Sequence, residues 1–560
     1  MPKTQTKETE KPTSRWRFWL PRAAFAIAAP LALLAVVEGA LRIFHIGYET
    51  SLMEPCQIHG HPSSCYNLFF AAPFFPPGMI KTPQFYSINP VKAPNAYRIF
   101  VLGESAAMGD PDPAYGFSRY LEVMLRDRFP GRKFEVVNTG MVAINSHVSR
   151  AIAQELAAYQ PDMYLVYAGS NEVVGPYGPG TVLTTGSMSL PVIRASIFLR
   201  SSRIGQLLAE SGQPKQEWRG MEMFLDKQVR ADSPRMEPAY RNFASNLKDI
   251  VEAVRKVHSR VVLSTVATNL RDSAPFASLH RAGLARDAMQ SWSTLLQQGA
   301  AAEGTQSYTE ALKYYASAEQ IDNQYAELEF RIARCHWHLG NFAAAKEHYI
   351  RARDLDTLRF RADSRTNEII RSTAKGAGDY AVLLDTENLF AGESQNGIIG
   401  GELLYDHVHL TPLGSYLFAR EAFREVVKTL PPEVRGAAAS SQPLTEAECE
   451  RLLAFTGHDR ARVASEMADR VQRPPFTTQL NHLEQLQSLM LRASVPTEAL
   501  PETVSQYQWA ISQAPNDLVL HYKFGLFLFN YDRMAAAQQL VLARPNDDFP
   551  VFLPDGTRIQ

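Results

Sequence analysis

Four short runs carry reactive side chains in a fixed order: Gly103-Glu104-Ser105, Asn138-Thr139-Gly140, Gly169-Ser170-Asn171 and Asp406-His407-Val408-His409. Serine at its ordinary pKa is a weak nucleophile and needs a base beside it. His409 supplies that base if its second ring nitrogen is held by a carboxylate such as Asp406. A developing oxyanion needs donors aimed at it in advance, and the amides of Ser105 and Gly140 with the Asn171 side chain offer three. The chemistry is attack on a carbonyl carbon followed by acyl transfer.

Such groups act only if the chain folds them to one point. Residues 98–102, 134–137 and 163–168 are apolar, strand-like runs that lead directly into the first three motifs. From about Gly116 an amphipathic helix is predicted, with Phe117, Leu121, Met124 and Leu125 on one face. Ser105 then sits where a strand turns into a helix. Alternation of strands and helices predicts parallel β-α-β units, whose ligands bind beyond the carboxyl ends of the strands. Residues 261–267 and 381–386 supply two further strands, giving five. Taken singly, Ser105 is a turn residue or helix cap, Gly140 a tight turn and Asn171 an Asx turn. Their common order and setting distinguish them.

In that order and setting the four runs resemble the SGNH, or GDSL-like, hydrolases. The resemblance spans roughly residues 95–275 and 374–430 and implies a flavodoxin-like three-layer α/β/α core. It implies Ser105 as nucleophile, His409 as general base and Asp406 as the orienting acid. Ser105, Gly140 and Asn171 become the oxyanion hole. Gly-Glu-Ser-Ala stands here for the family's Gly-Asp-Ser-Leu, and Gly-Ser-Asn-Glu for its commoner Gly-x-Asn-Asp. Asp406, His407 and His409 also permit a small metal site, but the spacing lacks the third or fourth ligand of ordinary zinc sites. The acyl-transfer reading calls for no metal and no organic cofactor.

At 560 residues the chain has room for about three domains. Its 45% apolar content suffices for real cores. A net charge of −1 gives no electrostatic reason to bind nucleic acid.

Residues 1–22 form a basic tail with Lys3, Lys7, Lys11, Arg15, Arg17 and Arg22. Residues 23–41 are apolar and reach about 28 Å as a helix, close to the hydrocarbon thickness of a bilayer. Pro30 and Glu38 interrupt them. Basic charge ahead of the stretch places the N-terminus in the cytoplasm and the rest of the chain outside it, periplasmic or at the cell surface. A cleaved signal peptide or a buried helix are the competing readings. Residues 42–94 read as an extracytoplasmic linker. Within them Cys56 and Cys65 suit a disulfide in an oxidising compartment, while His59 and His61 leave a Cys-His-His-Cys metal site open.

Residues 276–373 interrupt the core with a helical insertion. Tyr308, Ala311, Tyr315, Ala318 and Asp322 are matched thirty-four positions later by Phe342, Ala345, Tyr349, Ala352 and Asp356. That period resembles the tetratricopeptide repeat, with the aromatics as packing residues and a concave face able to hold a protein or polymer partner. Arg359 and Arg361 follow, and arginines there suit an anionic substrate. Beyond residue 430 a linker-like break precedes helices at about 503–514 and 517–542, again repeat-like. The whole reads as a membrane-anchored esterase acting on an O-acyl group, O-acetyl on an envelope carbohydrate being one candidate. The alternatives are an acyltransferase with the same groups, or a repeat scaffold around an inactive hydrolase domain.

Overall fold

Five parallel strands form the central sheet. The computed structural model describes residues 15–58, 60–184, 189–212, 217–436, 438, 440, 442–545, 551–552 and 558–559. An antiparallel hairpin comes first, β1 (Met53–Ile58) with β2 (His61–Tyr66), and β3 (Ser87–Ile88) pairs with β2. The core strands follow: β4 (Ala96–Gly103), β5 (Lys133–Asn138), β6 (Met163–Tyr167), β7 (Arg260–Ser264) and β8 (Ala381–Leu384). Their spatial order is β5-β4-β6-β7-β8, all parallel. This is a doubly wound sheet whose order reverses at β4 and β6, so the crevice lies beyond their carboxyl ends. Both strands are buried along their full length, as continuous apolar runs covered by helices on two faces require.

One face carries the Phe117–Arg128 and Pro412–Thr429 helices, and the other the Ser146–Leu156, Met236–Lys256 and Ser364–Gly376 helices. Tyr240, Phe243, Leu247, Ile250 and Val254 recur at helical spacing in Met236–Lys256, and all are buried. At the end of β4 the chain must pass very close to β6. Gly103 has φ +154°, and a methyl there would lie 2.0 Å from the Tyr167 carbonyl oxygen. Only glycine fits.

Between β7 and the Ser364–Gly376 helix stand four antiparallel helices, Arg286–Gly304, Tyr308–Ile321, Ala326–His338 and Phe342–Leu355. Ala311, Tyr315, Ala318, Ala345, Tyr349 and Ala352 are all buried between them. Gly299 lets Tyr315 approach, since a methyl at 299 would lie 2.3 Å from that ring. Past the core, the described residues form the short Pro432–Gly436 helix and then Glu446–Leu452, Gly457–Val471, His482–Ala493, Leu500–Gln513, Leu518–Leu528 and Arg533–Leu542. The long helix expected at 517–542 is two, separated by a turn whose Asp532 side chain caps the second.

The Arg15–Ile43 helix runs unbroken through Pro30 and is long and apolar enough from Arg22 onward to cross a membrane. Phe25, Ile27, Leu31, Leu33 and Val36 are exposed on it. The basic tail before Arg15 lies outside the described residues, as does His59. Residues 42–94 are not a linker. Leu52, Phe70, Phe74, Phe75 and Ile88 enter the main core, which explains why this stretch is rich in aromatics. Cys56 and Cys65 are joined by a disulfide across the β1-β2 hairpin, so their sulfurs are not ligands. Of residues 547–560, only 551–552 and 558–559 are described, as a short antiparallel pair.

Candidate active site

Ser105 opens a short helical turn, Ser105–Met108, directly after β4. The first amides of such a turn have no intrahelical acceptor, which leaves the Ser105 N–H free to face a ligand. On the opposite side, Asp406 and His409 lie on a tight loop in which the Tyr405 amide donates to the His409 carbonyl (2.8 Å). Thr411 ends that loop by capping the Pro412–Thr429 helix, with Pro412 at its first turn.

His409 Nε2 is 2.9 Å from Ser105 Oγ, and its Nδ1 is 2.7 Å from Asp406 Oδ2. The other Asp406 oxygen accepts from the amides of Val408 (2.9 Å) and His409 (3.0 Å). Asp406 is wholly buried. Burial would raise its carboxyl, but the charges of His409 and His407 outweigh it and hold the group well below the usual carboxylate range. An ionised Asp406 fixes the imidazole with Nδ1 protonated.

Asn171 and Ser105 line one cavity with His409. Asn171 Nδ2 donates to the Ile144 carbonyl (3.0 Å). An amide nitrogen carries two hydrogens, so one remains for an oxyanion. Gly140 behaves differently. Its amide donates to Asn138 Oδ1 (2.9 Å), while the Asn138 amide nitrogen bridges the Ala107 carbonyl (2.9 Å) and Ser118 Oγ (2.9 Å). The Asn138 side chain thus ties Gly140 to the Ser105–Met108 turn, and a methyl at 140 would lie 2.6 Å from the Met108 amide. The third expected oxyanion donor is spent inside its own loop.

Arg359 and Arg361 do not reach the cavity. Both are buried: Arg359 Nη2 pairs with Asp363 (2.6 Å) and Arg361 Nη2 with Asp356 (2.9 Å). Arg361 Nη1 also donates to the carbonyls of Asn269 and Ser273. Arg361 fastens the insertion to the core, while Arg359 bonds within the insertion to the carbonyls of Asp354 and Asp356 and to Asp363, so the run is basic without being an anion site. The residue between them, Phe360, does line the cavity.

Several site residues carry no local sequence signal. Glu104, next to Ser105, accepts from the amides of Gly169 (3.1 Å), Ser170 (2.8 Å) and Asn171 (3.2 Å). Burial, with Glu172 nearby, pushes its carboxyl up to about 8. The cavity, about 680 Å³, has an aromatic wall of Trp218, Phe224, Phe360 and Phe476. Asp110 and Arg470 line it as well, and Asp110 Oδ2 lies 3.0 Å from His409 Nε2. His407 packs its ring against Phe276 (5.1 Å between centroids) and faces Asp406 Oδ1 at 3.3 Å. Asp406, His407 and His409 therefore converge, but the Asp406 oxygens are already engaged by His409 and by two amides.

A parallel α/β sandwich with serine, histidine and aspartate at the carboxyl ends of its strands defines the class of site. Residues 295–360 match the tetratricopeptide repeat family, over part of the helical insertion. Among curated proteins none matches the chain. Among solved structures, it aligns with the acetyl xylan esterase AlAXEase at 10% identity and a TM-score of 0.26, covering 59% of this chain and 99% of that one. It aligns with a catalytic mutant of Axe2, an acetylxylan esterase from Geobacillus stearothermophilus, at 11% identity and a TM-score of 0.27. That alignment covers 60% of this chain and 96% of the other. Scores this low leave the functional reading to the site itself.

Proposed function

We propose that the chain is a serine esterase of the SGNH type, anchored by its N-terminal helix and acting on O-acyl groups on the far side of the membrane. The observation that carries the reading is the relay Asp406–His409–Ser105, with contacts of 2.7 and 2.9 Å at the edge of a cavity. Ser105 Oγ attacks the ester carbonyl while His409 Nε2 takes its proton. Asp406 steadies the imidazolium. The oxyanion is met by the Ser105 amide and the free hydrogen of the Asn171 carboxamide. As the tetrahedral centre collapses, the proton passes to the departing alcohol and the acyl group stays on Ser105. Water, deprotonated by His409, then releases the acid and restores the serine.

The aromatic wall of Trp218, Phe224, Phe360 and Phe476 favours a sugar ring as the alcohol part, since flat apolar faces stack on aromatic rings. An O-acetylated carbohydrate of the cell envelope fits that wall. The helical insertion gives a protein partner a surface to bind. The test is hydrolysis of short acyl nitrophenyl esters by the full chain in detergent, beside Ser105→Ala. Activity that vanishes in the variant supports the reading, and equal activity in both overturns it. Adding a sugar acceptor separates hydrolysis from transfer by the fraction of acyl groups it captures.

A further inference from the structure

We infer that Asp110, fixed by Arg470 of the C-terminal helices, is a second carboxylate on His409 that sets when the histidine is free to act as a base. Its catalytic consequence rests on the esterase reading, whereas the contact itself does not.

His409 Nδ1 is committed to Asp406, so proton exchange runs through Nε2. Two oxygens face that nitrogen, Ser105 Oγ at 2.9 Å and Asp110 Oδ2 at 3.0 Å. A carboxylate is an acceptor only, so its contact with Nε2 requires a proton on the ring. Taking the serine proton requires a lone pair on the same atom. The two states exclude one another. With Asp110 in place the imidazole is held as the cation. The base is released when Asp110 turns toward Arg470 or is displaced by substrate.

Arg470 lies on the Gly457–Val471 helix, 360 residues from Asp110 in sequence. Its Nη2 donates to Asp110 Oδ1 (3.0 Å) and its Nη1 to Oδ2. The same region clamps the rest of this loop. Lys523 Nζ is 2.6 Å from Asp112 Oδ2, Arg462 also pairs with Asp112, and Tyr115 packs on Phe455 (4.3 Å). The C-terminal helices thus complete the site. Among the described residues, the charged and titratable groups nearest His409 are Asp406 and His407 on its own loop, Asp110 on the Ser105 segment, and Arg470 with Glu466 on the C-terminal helix; Arg219, Glu222, Asp469 and Arg473 line the same cavity. Arg361 acts on His407 from behind.

Burial would lower the His409 pKa, but Asp406 and Asp110 outweigh it and push it up to about 9. The cation therefore dominates below that value, and the base form grows as pH rises through it. Lowering this pKa by one unit from about 9 raises the base fraction at pH 7 roughly tenfold.

The test follows the His409 ring by carbon-13 NMR in full-length, ring-labelled protein in detergent, assigned with His409→Gln. Asp110→Asn is expected to lower the titration by a unit or more and to move the acid limb of ester hydrolysis with it. Asp112→Asn, which loosens the same loop without touching His409, is expected to leave the titration in place. Arg470→Met is expected to shift it more in the native background than beside Asp110→Asn. An unchanged titration in Asp110→Asn, or equal Arg470→Met shifts in both backgrounds, overturns the inference. A lowered titration in a protein that hydrolyses no ester upholds the contact and removes the esterase reading.

Discussion

Asp406 and Asp110 both touch His409, yet they hold different nitrogens and so do opposite things. Asp406, on Nδ1, leaves Nε2 as the ring nitrogen that faces Ser105. Replacing it with asparagine keeps the shape but offers an N–H or a weaker acceptor, which favours the wrong tautomer. Asp406→Asn is expected to lower kcat by about 10⁴, the cost of the same change in a serine protease relay. Steady-state kinetics on a nitrophenyl ester checks this, and a loss below tenfold would remove Asp406 from the relay. Ser105, Asp406 and His409 were legible in the sequence because each sits in a short run tied to a strand end or a helix start. Asp110 and Arg470 were not, because their contact joins distant segments and each reads alone as a solvated charge. Gly140 misled for a third reason. Its place in the loop was foreseeable, but the neighbouring Asn138 carboxamide that takes up its amide was not.

The five strands were legible from apolar runs of strand length, and the insertion from its period, since burial on one face imposes that spacing on any stack of helices. The arginines after the repeat helices were read as a ligand site because charge alone does not reveal burial. Asp356 shows what they do. It closes the repeat where Asp322 closes the previous one, and accepts from the amides of Phe276 (2.9 Å) and Ala277 (3.2 Å) as well as from Arg361 (2.9 Å). Phe276 packs on Phe360, Phe476 and His407, so this knot connects the insertion to the cavity wall. Asp356→Ala leaves a buried guanidinium without its counter-charge and is expected to cost about 3–5 kcal/mol. Denaturant unfolding of the full chain in detergent measures it. A change below about 1 kcal/mol would mean that Arg361 relaxes into water and that the knot is not buried in solution.

The long N-terminal helix and the body of the protein meet through a short, fixed joint rather than a free tether. Glu38, read from the sequence as a blemish in the apolar stretch, accepts from the amides of Arg203 (3.1 Å) and Ile204 (3.1 Å) at the start of the Arg203–Gly212 helix, and pairs with Arg42 (2.9 Å). A carboxylate at a helix start is favoured by the exposed N–H groups there. Beyond it Gln206 exchanges two hydrogen bonds with the Tyr48 backbone (2.9 Å each), and Arg203 reaches Glu49 (2.5 Å). The charge that interrupts the apolar stretch therefore marks where this helix meets the body. Hydrogen bonds to a charged group contribute about 1.5–3 kcal/mol each, so Glu38→Ala is expected to free the joint without releasing the protein. In cell fractions the full chain and Glu38→Ala should both sediment with membranes after a high-salt wash, and a chain beginning at residue 45 should not. Limited proteolysis near residues 42–50 should then be several-fold faster in Glu38→Ala than in the native protein. Equal rates would show that the body swings freely on its anchor, and recovery of the full chain in the soluble fraction would remove the anchor itself.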